Sequence, residues 1–366
     1  MKLLLFTFLL LFSLYSTGQT VVPFDSLNWV FVGKVTQETV QGKAGIRLTE
    51  GSIYLKDSTF KNGVLEFDMM LTQGRYFPGV GFRVQDKANF ESVYLRPHQR
   101  GNPDALQYMP VFSGQESWQL YYGDGYSAAV TYSLNEWVHI KIAVRDSQAE
   151  VYIGNPNEPA LVIHQLKRDD KPGQISLSND SPIITHFANF QYIKADRPPI
   201  AGKFKAEPAP QPGTILNWQV SKTFDETLLA PSYTIPQTLA NQLTWSNLTA
   251  ENSGKLNLSR ISKLGKNSNT VFTKLTVVSD KQQIKKLQLG FSDRAKVYVN
   301  GRLVYAGQDE FGSRDYRFLG TMGYFDEVYL DLKKGPNELW IAISENFGGW
   351  GLQGIIADQT GLIIKP

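Results

Sequence analysis

The chain has 366 residues, a formal net charge of +3 and no cysteine, and 42% of its residues are hydrophobic. This length exceeds what one hydrophobic core usually organises, so we expect two domains. The lack of cysteine excludes disulfides, a lipid-modified cysteine anchor and thiolate chemistry. The small net charge, with Lys and Arg scattered along the chain, argues against nucleic acid as a partner.

Residues 1–18 have the pattern of a secretory signal peptide. Lys2 precedes an apolar run over residues 3–14, and Ser16-Thr17-Gly18 supplies small residues for cleavage. The run is too short to span a bilayer, and no later stretch approaches that length. We therefore expect cleavage near Gly18 and Gln19, and a soluble bacterial protein that is secreted or periplasmic, with no membrane span.

Residues 19–195 show strand signals and almost no helical periodicity. Short runs rich in Val, Ile, Tyr and Phe are separated by Gly, Asn, Asp and Pro, which is typical of antiparallel strands. Strands of this length and spacing predict a two-sheet β-sandwich. The predicted strands cover residues 45–55, 63–71, 79–84, 92–95, 137–144, 150–153 and 174–177.

Residues 196–214 are rich in proline, which lacks the backbone donor that a sheet needs, so this stretch predicts a semi-rigid linker. A second strand-rich unit follows over residues 215–366. Its Asn300-Gly301 pair predicts a tight hairpin, because both central positions of a type I′ turn need positive φ. The predicted strands cover residues 215–224, 254–258, 269–279, 285–291, 296–299, 302–305, 327–332 and 338–344, with a short helical turn over 236–240. The fold class predicted for the whole chain is all-β, with two jelly-roll sandwiches.

The first unit resembles the concanavalin A-like lectin/glucanase superfamily in its laminin G-like branch. The resemblance covers most of residues 21–195, and its members are jelly rolls that serve as sugar-binding modules, glucanases and polysaccharide lyases. It is carried by residues 63–70 (GVLEFDMM), 79–86 (GVGFRVQD), 94–97 (YLRP), 136–144 (EWVHIKIAV) and 149–153 (AEVYI).

The second unit is similar to galactose-binding-like jelly rolls that accompany glycoside hydrolases. The similarity covers roughly residues 215–366. It is carried by residues 292–301 (SDRAKVYVNG), 332–339 (LKKGPNEL) and 347–351 (FGGWG).

Glu66 and Asp68 test the glucanase reading of the first unit. Glucanases of this superfamily place Glu-x-Asp-x-Glu, or the same with one extra residue, on one strand, so that alternation aims the carboxylates into one cleft. The second Glu would fall at Met70 or Leu71, which are apolar. We therefore expect Glu66 and Asp68 to form the outward polar face of a strand.

The stretch from Val93 to Gly125 holds the candidate site, because polar hydrogen-bonding groups alternate there with flat aromatic rings. Sugar hydroxyls suit planar polar partners, and sugar C–H faces suit aromatic rings. The alternative is a structural loop pinned by its own Arg–Asp contact, with Trp118 in the core. The predicted ligand-binding residues are Arg96, His98, Gln99, Arg100, Asp104, Gln107, Tyr108, Trp118 and Tyr121.

These residues favour a secreted carbohydrate-binding protein, with an oligo- or polysaccharide as its partner. An enzymatic alternative is a glycoside hydrolase or polysaccharide lyase acting from the loop between Tyr94 and Tyr122. Its acid–base candidates are His98, Asp104 and Tyr108. A third alternative is a non-catalytic module that mediates protein contacts.

The second unit has its own polar and aromatic set, which predicts either a second sugar site or mutually paired structural charges. No histidine pair has metal-ligand spacing, so no metal or cofactor is predicted, although loop oxygens leave a structural calcium open. Residues 349–354 match the Gly-x-Gly-x-x-Gly spacing, but turn and strand signals follow where a dinucleotide site needs a helix, so no dinucleotide is expected. The second-site residues are Asp293, Arg314, Asp315, Arg317, Glu345 and Trp350.

Overall fold

The computed structural model describes residues 20–230, 232–315 and 318–366. The signal peptide predicted for residues 1–18 lies outside the described residues. Within the described part the chain is all-β, and its large antiparallel sheets form sandwich-like domains. Strands before residue 195 pair only with one another, and so do strands after residue 216. We call these parts the N-terminal half (residues 20–194) and the C-terminal half (residues 217–366).

The N-terminal half is one continuous sheet of fourteen strands that folds over on itself. Neighbouring strands follow the order β12-β11-β10-β4-β14-β3-β13-β5-β6-β7-β8. The strands are β1 (Thr20–Val21), β2 (Trp29–Val40), β3 (Lys43–Leu55), β4 (Gly63–Leu71), β5 (Gly79–Asp86), β6 (Asn89–Leu95), β7 (Leu106–Phe112), β8 (Gln115–Glu116), β9 (Ser127–Ala128), β10 (Trp137–Arg145), β11 (Gln148–Ile153), β12 (Leu161–Ile163), β13 (Gln174–Asn179) and β14 (Thr185–Lys194).

Strand β3 joins the two layers of this sandwich. Its first part pairs with β14 at residues 45–48, and its last part pairs with β13 at residues 51–54. Between them Glu50 has a φ of 50°, and Gly51 follows. We call β12, β11, β10, β4 and β14 the back layer, and β13, β5, β6, β7 and β8 the front layer.

Strict alternation along each strand fills the space between the layers. Phe67 and Met69 of β4 face Phe82 of β5 and Val93 of β6 within one buried cluster. Because successive side chains of a strand point to opposite faces, the residues between these point away from the core. The outer faces of both layers are therefore available for other contacts.

The C-terminal half packs two sheets over a second core. The seven-stranded sheet has the order β16-β15-β18-β23-β20-β21, with β25 on β18, and the four-stranded sheet has the order β17-β24-β19-β22. The strands are β15 (Asn217–Ser221), β16 (Trp245–Thr249), β17 (Leu256–Asn257), β18 (Thr270–Ser279), β19 (Gln283–Ser292), β20 (Arg294–Val299), β21 (Arg302–Gln308), β22 (Asp326–Leu332), β23 (Gly335–Ser344), β24 (Gly351–Ile355) and β25 (Leu362–Lys365).

Helical structure within the described residues is short. A single α-helical turn, α1 (Gln237–Ala240), lies where the sequence predicted one. Single 3₁₀ turns occur at Pro97–Gln99, Glu226–Leu229 and Leu258–Arg260. None of the helices in the described part is long and apolar enough to cross a membrane.

Residues 195–216, which include the predicted linker, contain neither helix nor strand. They run against the N-terminal half: the backbone amides of Ala201 and Gly202 donate to the Glu150 carboxylate, and Lys205 pairs with Asp124 at 2.5 Å. The division into two folding domains with a linker over residues 196–214 stays a proposal.

The prediction of a long loop after Val93 is wrong for residues 106–112, which form β7. Pro110 and the polar Gln107 obscured the alternation there, although Leu106 and Tyr108 point into the core. The long β2 was also missed, because its residues are mostly exposed and carry little apolar signal. The hairpin at Asn300-Gly301 is confirmed: β20 and β21 flank it, and both residues have positive φ.

Candidate functional site

Arg96 lies at the centre of the stretch that the sequence singled out, and it is buried. Its guanidinium donates to the backbone oxygen of Asp104 at 2.6 Å, to Oε1 of Gln107 at 2.9 Å and to the Tyr94 hydroxyl at 2.5 Å. Its charge also lies 3.7 Å from the Asp104 carboxylate. The Arg–Asp contact of the structural alternative is therefore present, and these donors already have partners.

Gln107 and Tyr108 point to opposite sides of β7, as adjacent residues of a strand must. The Gln107 amide donates to the backbone oxygen of Tyr121 at 2.6 Å, which fixes the following turn. The Tyr108 hydroxyl lies in the core, donates to Glu91 at 2.6 Å and accepts from the Lys167 amide at 2.7 Å. A ligand could reach these atoms only if the surrounding structure opened.

His98, Gln99 and Arg100 are the accessible part of the predicted set. His98 and Gln99 are half-buried, and Arg100 is exposed. The His98 ring meets the exposed Phe77 edge-on at 5.7 Å. The three acid–base candidates do not form one site, because Tyr108 faces the core whereas His98 lies on the outside.

The turn over residues 117–121 contacts the C-terminal half, and Gln119 is its deepest point, with 0% exposure. Its backbone donates to Gly348 and accepts from Met322, both at 3.0 Å. Its side chain donates to the Leu319 backbone oxygen at 2.9 Å and accepts from Ser292 Oγ at 3.1 Å. Gln119 of the N-terminal half thus makes four hydrogen bonds to the C-terminal half.

Neighbouring residues extend this contact. The Tyr121 hydroxyl donates to the Glu251 carboxylate, and Lys167 pairs with Glu251 at 2.6 Å. Trp118 lies edge-on to Phe311 at 6.3 Å and to Phe347 at 5.9 Å. Trp118 and Tyr121, both predicted to bind a ligand, are therefore covered by the other half.

Gly349 and Gly351 of the Gly-x-Gly-x-x-Gly match, together with the preceding Gly348, lie against the turn over residues 117–121. A Cβ at Gly348 would lie 2.3 Å from Oε1 of Gln119, and one at Gly349 would lie 2.7 Å from Leu120. The match runs into strand β24, which begins at Gly351, in place of the helix that a dinucleotide site requires. Their small size serves the close approach of the 117–121 turn.

The predicted second set divides into an inner and an outer group. Trp350 lies in the core and donates to the Ile343 backbone at 3.0 Å. Asp293 is buried and accepts from the amides of Asn346 and Phe347 at 2.8 and 3.2 Å, and Glu345 is buried beside it. Arg314 and Asp315 are exposed, and Arg314 pairs with Asp309. Arg317 lies outside the described residues.

Glu66 and Asp68 lie on the outer face of the back layer. Asp68 accepts from Lys43 and Asn189 at 2.6 Å each and from His139 at 2.9 Å. Burial opposes its ionisation, but these hydrogen bonds outweigh burial and lower its pKa. Asp68 thus favours its ionised form and accepts hydrogen bonds from three side chains, which fits a structural role better than acid–base chemistry.

The outer face of the front layer carries small residues where its strands lie side by side. Registered pairing aligns Ser178 of β13 with Gly79 of β5, and Ser176 with Gly81. A Cβ at Gly81 would lie 2.4 Å from Ser176 Oγ. A side chain at Gly81 would therefore collide with Ser176, so only a residue without a Cβ fits at this point of the face.

Two tyrosines border these small residues. Ser52 and Tyr54 of β3 align with Ser178 and Ser176, and Tyr94 of β6 aligns with Gly79. Because Ile53, Leu55, Val93 and Leu95 point into the core, Tyr54 and Tyr94 must point outward. The Tyr54 side chain is half-buried, whereas Tyr94 is buried in a cluster with Trp118. We call this surface the front trough. Its floor and walls comprise Ser52, Tyr54, Gly79, Gly81, Ser92, Tyr94, Ser176 and Ser178.

Two carboxylates, Glu116 and Asp180, lie at the edge of the front trough. Glu116 pairs with Val111 across β7 and β8 and so shares its outer face, while Asp180 follows β13. Desolvation raises the pKa of Glu116, and the negative charge of Asp180 adds to the effect. Desolvation likewise raises the pKa of Asp180. Both side chains are nonetheless exposed.

The sequence held a signal for this surface that the prediction passed over. Ser52-x-Tyr54, Gly79-x-Gly81, Ser92-x-Tyr94 and Ser176-x-Ser178 each place two small or hydroxylated residues on one face of a strand. The alternation was visible within each strand. Their meeting on one surface depends on the strand order β3-β13-β5-β6, which no single strand reveals.

No group of three or more His, Cys, Asp or Glu residues in the described ranges is placed to hold a metal ion. No family model matches the chain. No curated protein matches it either.

Several solved structures are similar to parts of the chain, at low identity and low TM-score. The carbohydrate binding module CBM66 from Bacillus subtilis is 15% identical, covers 46% of this chain and 96% of its own, and has a TM-score of 0.35. A native glycosidic hydrolase is 12% identical over 48% and 95%, with a TM-score of 0.36. Domain 4 of an extracellular arabinanase from Geobacillus stearothermophilus, solved with arabinotriose, is 11% identical over 44% and 76%, with a TM-score of 0.30.

Likenesses at these TM-scores carry no argument about function. The concanavalin A-like and galactose-binding-like classifications therefore stay predictions.

Proposed function

We propose that the chain is a carbohydrate-binding protein and that the front trough is its binding site. The observation that carries this proposal is the row of Gly and Ser residues between Tyr54 and Tyr94, with Glu116 and Asp180 at its edge. Small floor residues allow a sugar ring to approach the backbone. The half-buried Tyr54 ring suits its C–H faces, and serine and carboxylate oxygens suit its hydroxyls. Export through the predicted leader, to the periplasm or outside, is part of the same proposal.

The carboxylates also indicate which sugars fit. Glu116 and Asp180 both become negatively charged when they ionise, and they would then repel the carboxylate of a uronate. A neutral, hydroxyl-rich sugar instead gains charge-assisted hydrogen bonds from them. We therefore place uncharged glycans ahead of carboxylated ones.

Blocking the trough tests this proposal. Ser178→Trp adds a large side chain to the half-buried middle of the floor, and Ser133→Trp adds the same side chain to an exposed loop. Each variant is titrated with laminarin, xyloglucan, arabinoxylan and galactomannan, and with polygalacturonate and alginate as carboxylated probes. We expect binding of at least one neutral glycan, reduced tenfold or more by Ser178→Trp and unchanged by Ser133→Trp. Absence of binding to all six glycans by the folded protein would refute the proposal.

Hydrolysis is a second candidate, because Glu116 is exposed and desolvation raises its pKa, which is the direction that favours a proton donor. The same incubations are analysed for new reducing ends. Product that disappears in Glu116→Gln, with glycan binding retained, would assign cleavage to this carboxylate. Product unaffected by that change would place the chemistry elsewhere.

A further inference from the structure

Three phenylalanines from distant parts of the sequence are exposed near the turn over residues 117–121. The exposed fraction is 46% for Phe77, 37% for Phe311 and 53% for Phe347. Single exposed apolar residues are common and need no explanation. Phe311 and Phe347 lie 6.2 Å apart and so form a connected exposed pair, and connected apolar surfaces mark binding sites. Phe77 is linked to this pair only below the surface, through the buried side chains of Tyr94, Arg96 and Trp118.

The rings follow one another from the front trough to the C-terminal half. Phe77 meets Tyr94, a wall of the trough, at 5.9 Å. The Arg96 guanidinium lies between the rings of Tyr94 and Trp118, at 4.8 and 5.6 Å. Trp118 then meets Phe311 and Phe347, which lie 6.2 Å from each other. The trough and the two phenylalanines of the C-terminal half are thus joined by a row of rings whose middle members, Tyr94 and Trp118, are buried.

The segment that carries Phe347 is held in place before any ligand arrives. The buried Asp293 carboxylate accepts from the amides of Asn346 and Phe347, and the Gly348 oxygen accepts from the Gln119 amide at 3.0 Å. A ring fixed in this way loses little conformational entropy on binding. Exposure combined with a fixed backbone is what a stacking platform requires.

The polar groups beside these rings suit a sugar. The exposed Arg75 guanidinium lies 5.7 Å from the Phe311 ring and offers N–H donors next to an aromatic face. A sugar presents a C–H face for the ring and hydroxyls for such donors. The row of rings begins at a trough whose carboxylates disfavour acidic ligands, so the occupant that fits both the trough and the two phenylalanines is an uncharged sugar chain.

We propose that Phe311 and Phe347 form a second subsite for the sugar chain held in the front trough, so that both halves bind one ligand. This inference rests on the proposed function and specifies it further: the ligand is an oligo- or polysaccharide long enough to leave the trough. A single sugar gains nothing from the second subsite. Affinity should therefore rise with chain length.

The test uses an oligosaccharide ladder, from monomer to hexamer, of the neutral glycan that the full chain binds. Titrations compare the unmodified chain with Phe347→Ala, Phe311→Ala and Phe325→Ala. Phe325 is the matched control, because it is also an exposed phenylalanine of the C-terminal half, at 57%. Thermal unfolding of each variant verifies folding.

We expect Phe347→Ala and Phe311→Ala to weaken hexamer binding at least fivefold, with monomer and dimer affinity unchanged and Phe325→Ala without effect. Equal hexamer affinity in all four proteins would overturn the second subsite and leave the trough proposal intact. Equal losses for every ladder member, or a loss in Phe325→Ala as large as in Phe347→Ala, would also overturn it. If the unmodified chain binds no glycan, both proposals fall.

Discussion

Glu345 is a carboxylate at 0% exposure in the C-terminal half. One oxygen accepts from the Gly349 amide at 3.1 Å, and the other is buried with no hydrogen-bond partner in the described part of the chain. Desolvation raises its pKa well above the ordinary value of 4.5, and the neighbouring Asp293 charge raises it further. Each unit of such a shift costs about 1.4 kcal/mol once the group is ionised.

This shift predicts how stability depends on pH. Below the unfolded-state pKa of about 4.5, Glu345 is protonated in both the folded and the unfolded state, and its contribution to the free energy of unfolding is fully present. As pH rises from there through the folded-state pKa, the unfolded chain loses its proton first, and the free energy of unfolding falls. Glu345→Gln keeps an acceptor for Gly349 and carries no charge. Denaturant unfolding from pH 4 to 8 should show a smaller decline in this variant. An identical decline in both proteins would contradict the assignment.

Some individual residues could be read correctly from the sequence, and others could not. Glu66 and Asp68 were expected on an outward strand face, which is where they lie. An Arg–Asp contact within the loop was expected under the structural alternative, without naming the pair, and Arg96 lies 3.7 Å from Asp104. Gln119 was in no predicted set, since nothing in a single Gln residue signals a partner 173 positions away.

At the scale of elements, the turn over residues 117–121 determines what Val93 to Gly125 can do. Its backbone is hydrogen-bonded to Gln107 of the N-terminal half and to Gly348 and Met322 of the C-terminal half. The aromatic and polar composition that suggested a ligand loop is also what a buried interface needs: large apolar rings with every polar atom paired. Composition alone does not distinguish the two uses.

Gln119→Ala tests how much the contacts of this turn contribute to the free energy of unfolding. The change leaves Ser292 Oγ and the Leu319 backbone oxygen without their partner in a buried environment, which costs roughly 1–3 kcal/mol. Thermal and urea unfolding should show that loss. Gln282→Ala, at an exposed turn, should change the free energy of unfolding by less than about 0.5 kcal/mol. Equal stability of the two variants would mean that the Gln119 contacts contribute nothing.

At the scale of the molecule, the sandwich architecture could be predicted because it depends on alternation and turn residues within short windows. The front trough and the contact between the halves could not. Both depend on residues such as Ser52, Ser178 and Gly348 that become neighbours only through strand order or packing between sheets. The positions of these residues depend on strand pairs and contacts that are far apart in sequence, and the pattern within one short segment does not reveal such pairs.

The contact between the halves predicts that they stay together without a covalent connection. The contact buries residues 119–121 against the C-terminal half. The ion pair between Lys167 and Glu251 joins the two halves at the same interface. Residues 206–209 are exposed and in neither helix nor strand, so a protease site inserted there should be cut in the folded protein. We expect the cut protein to elute from a size-exclusion column as one particle of unchanged size.

The matched variant is Leu120→Asp in the same cleavable chain. Leu120 lies against Gly349 and Gly351, so an aspartate there would bury an unpaired charge, at a cost of several kcal/mol. After cleavage its two halves should separate on the column, and each should keep the circular dichroism of a β-protein if each is a folding domain. Separation of the cut parent chain would show that the linker, not the buried turn, holds the halves together. A sugar chain that contacts both halves should then restore co-elution of the cut Leu120→Asp protein, because a ligand that binds only the joined form stabilises it by mass action.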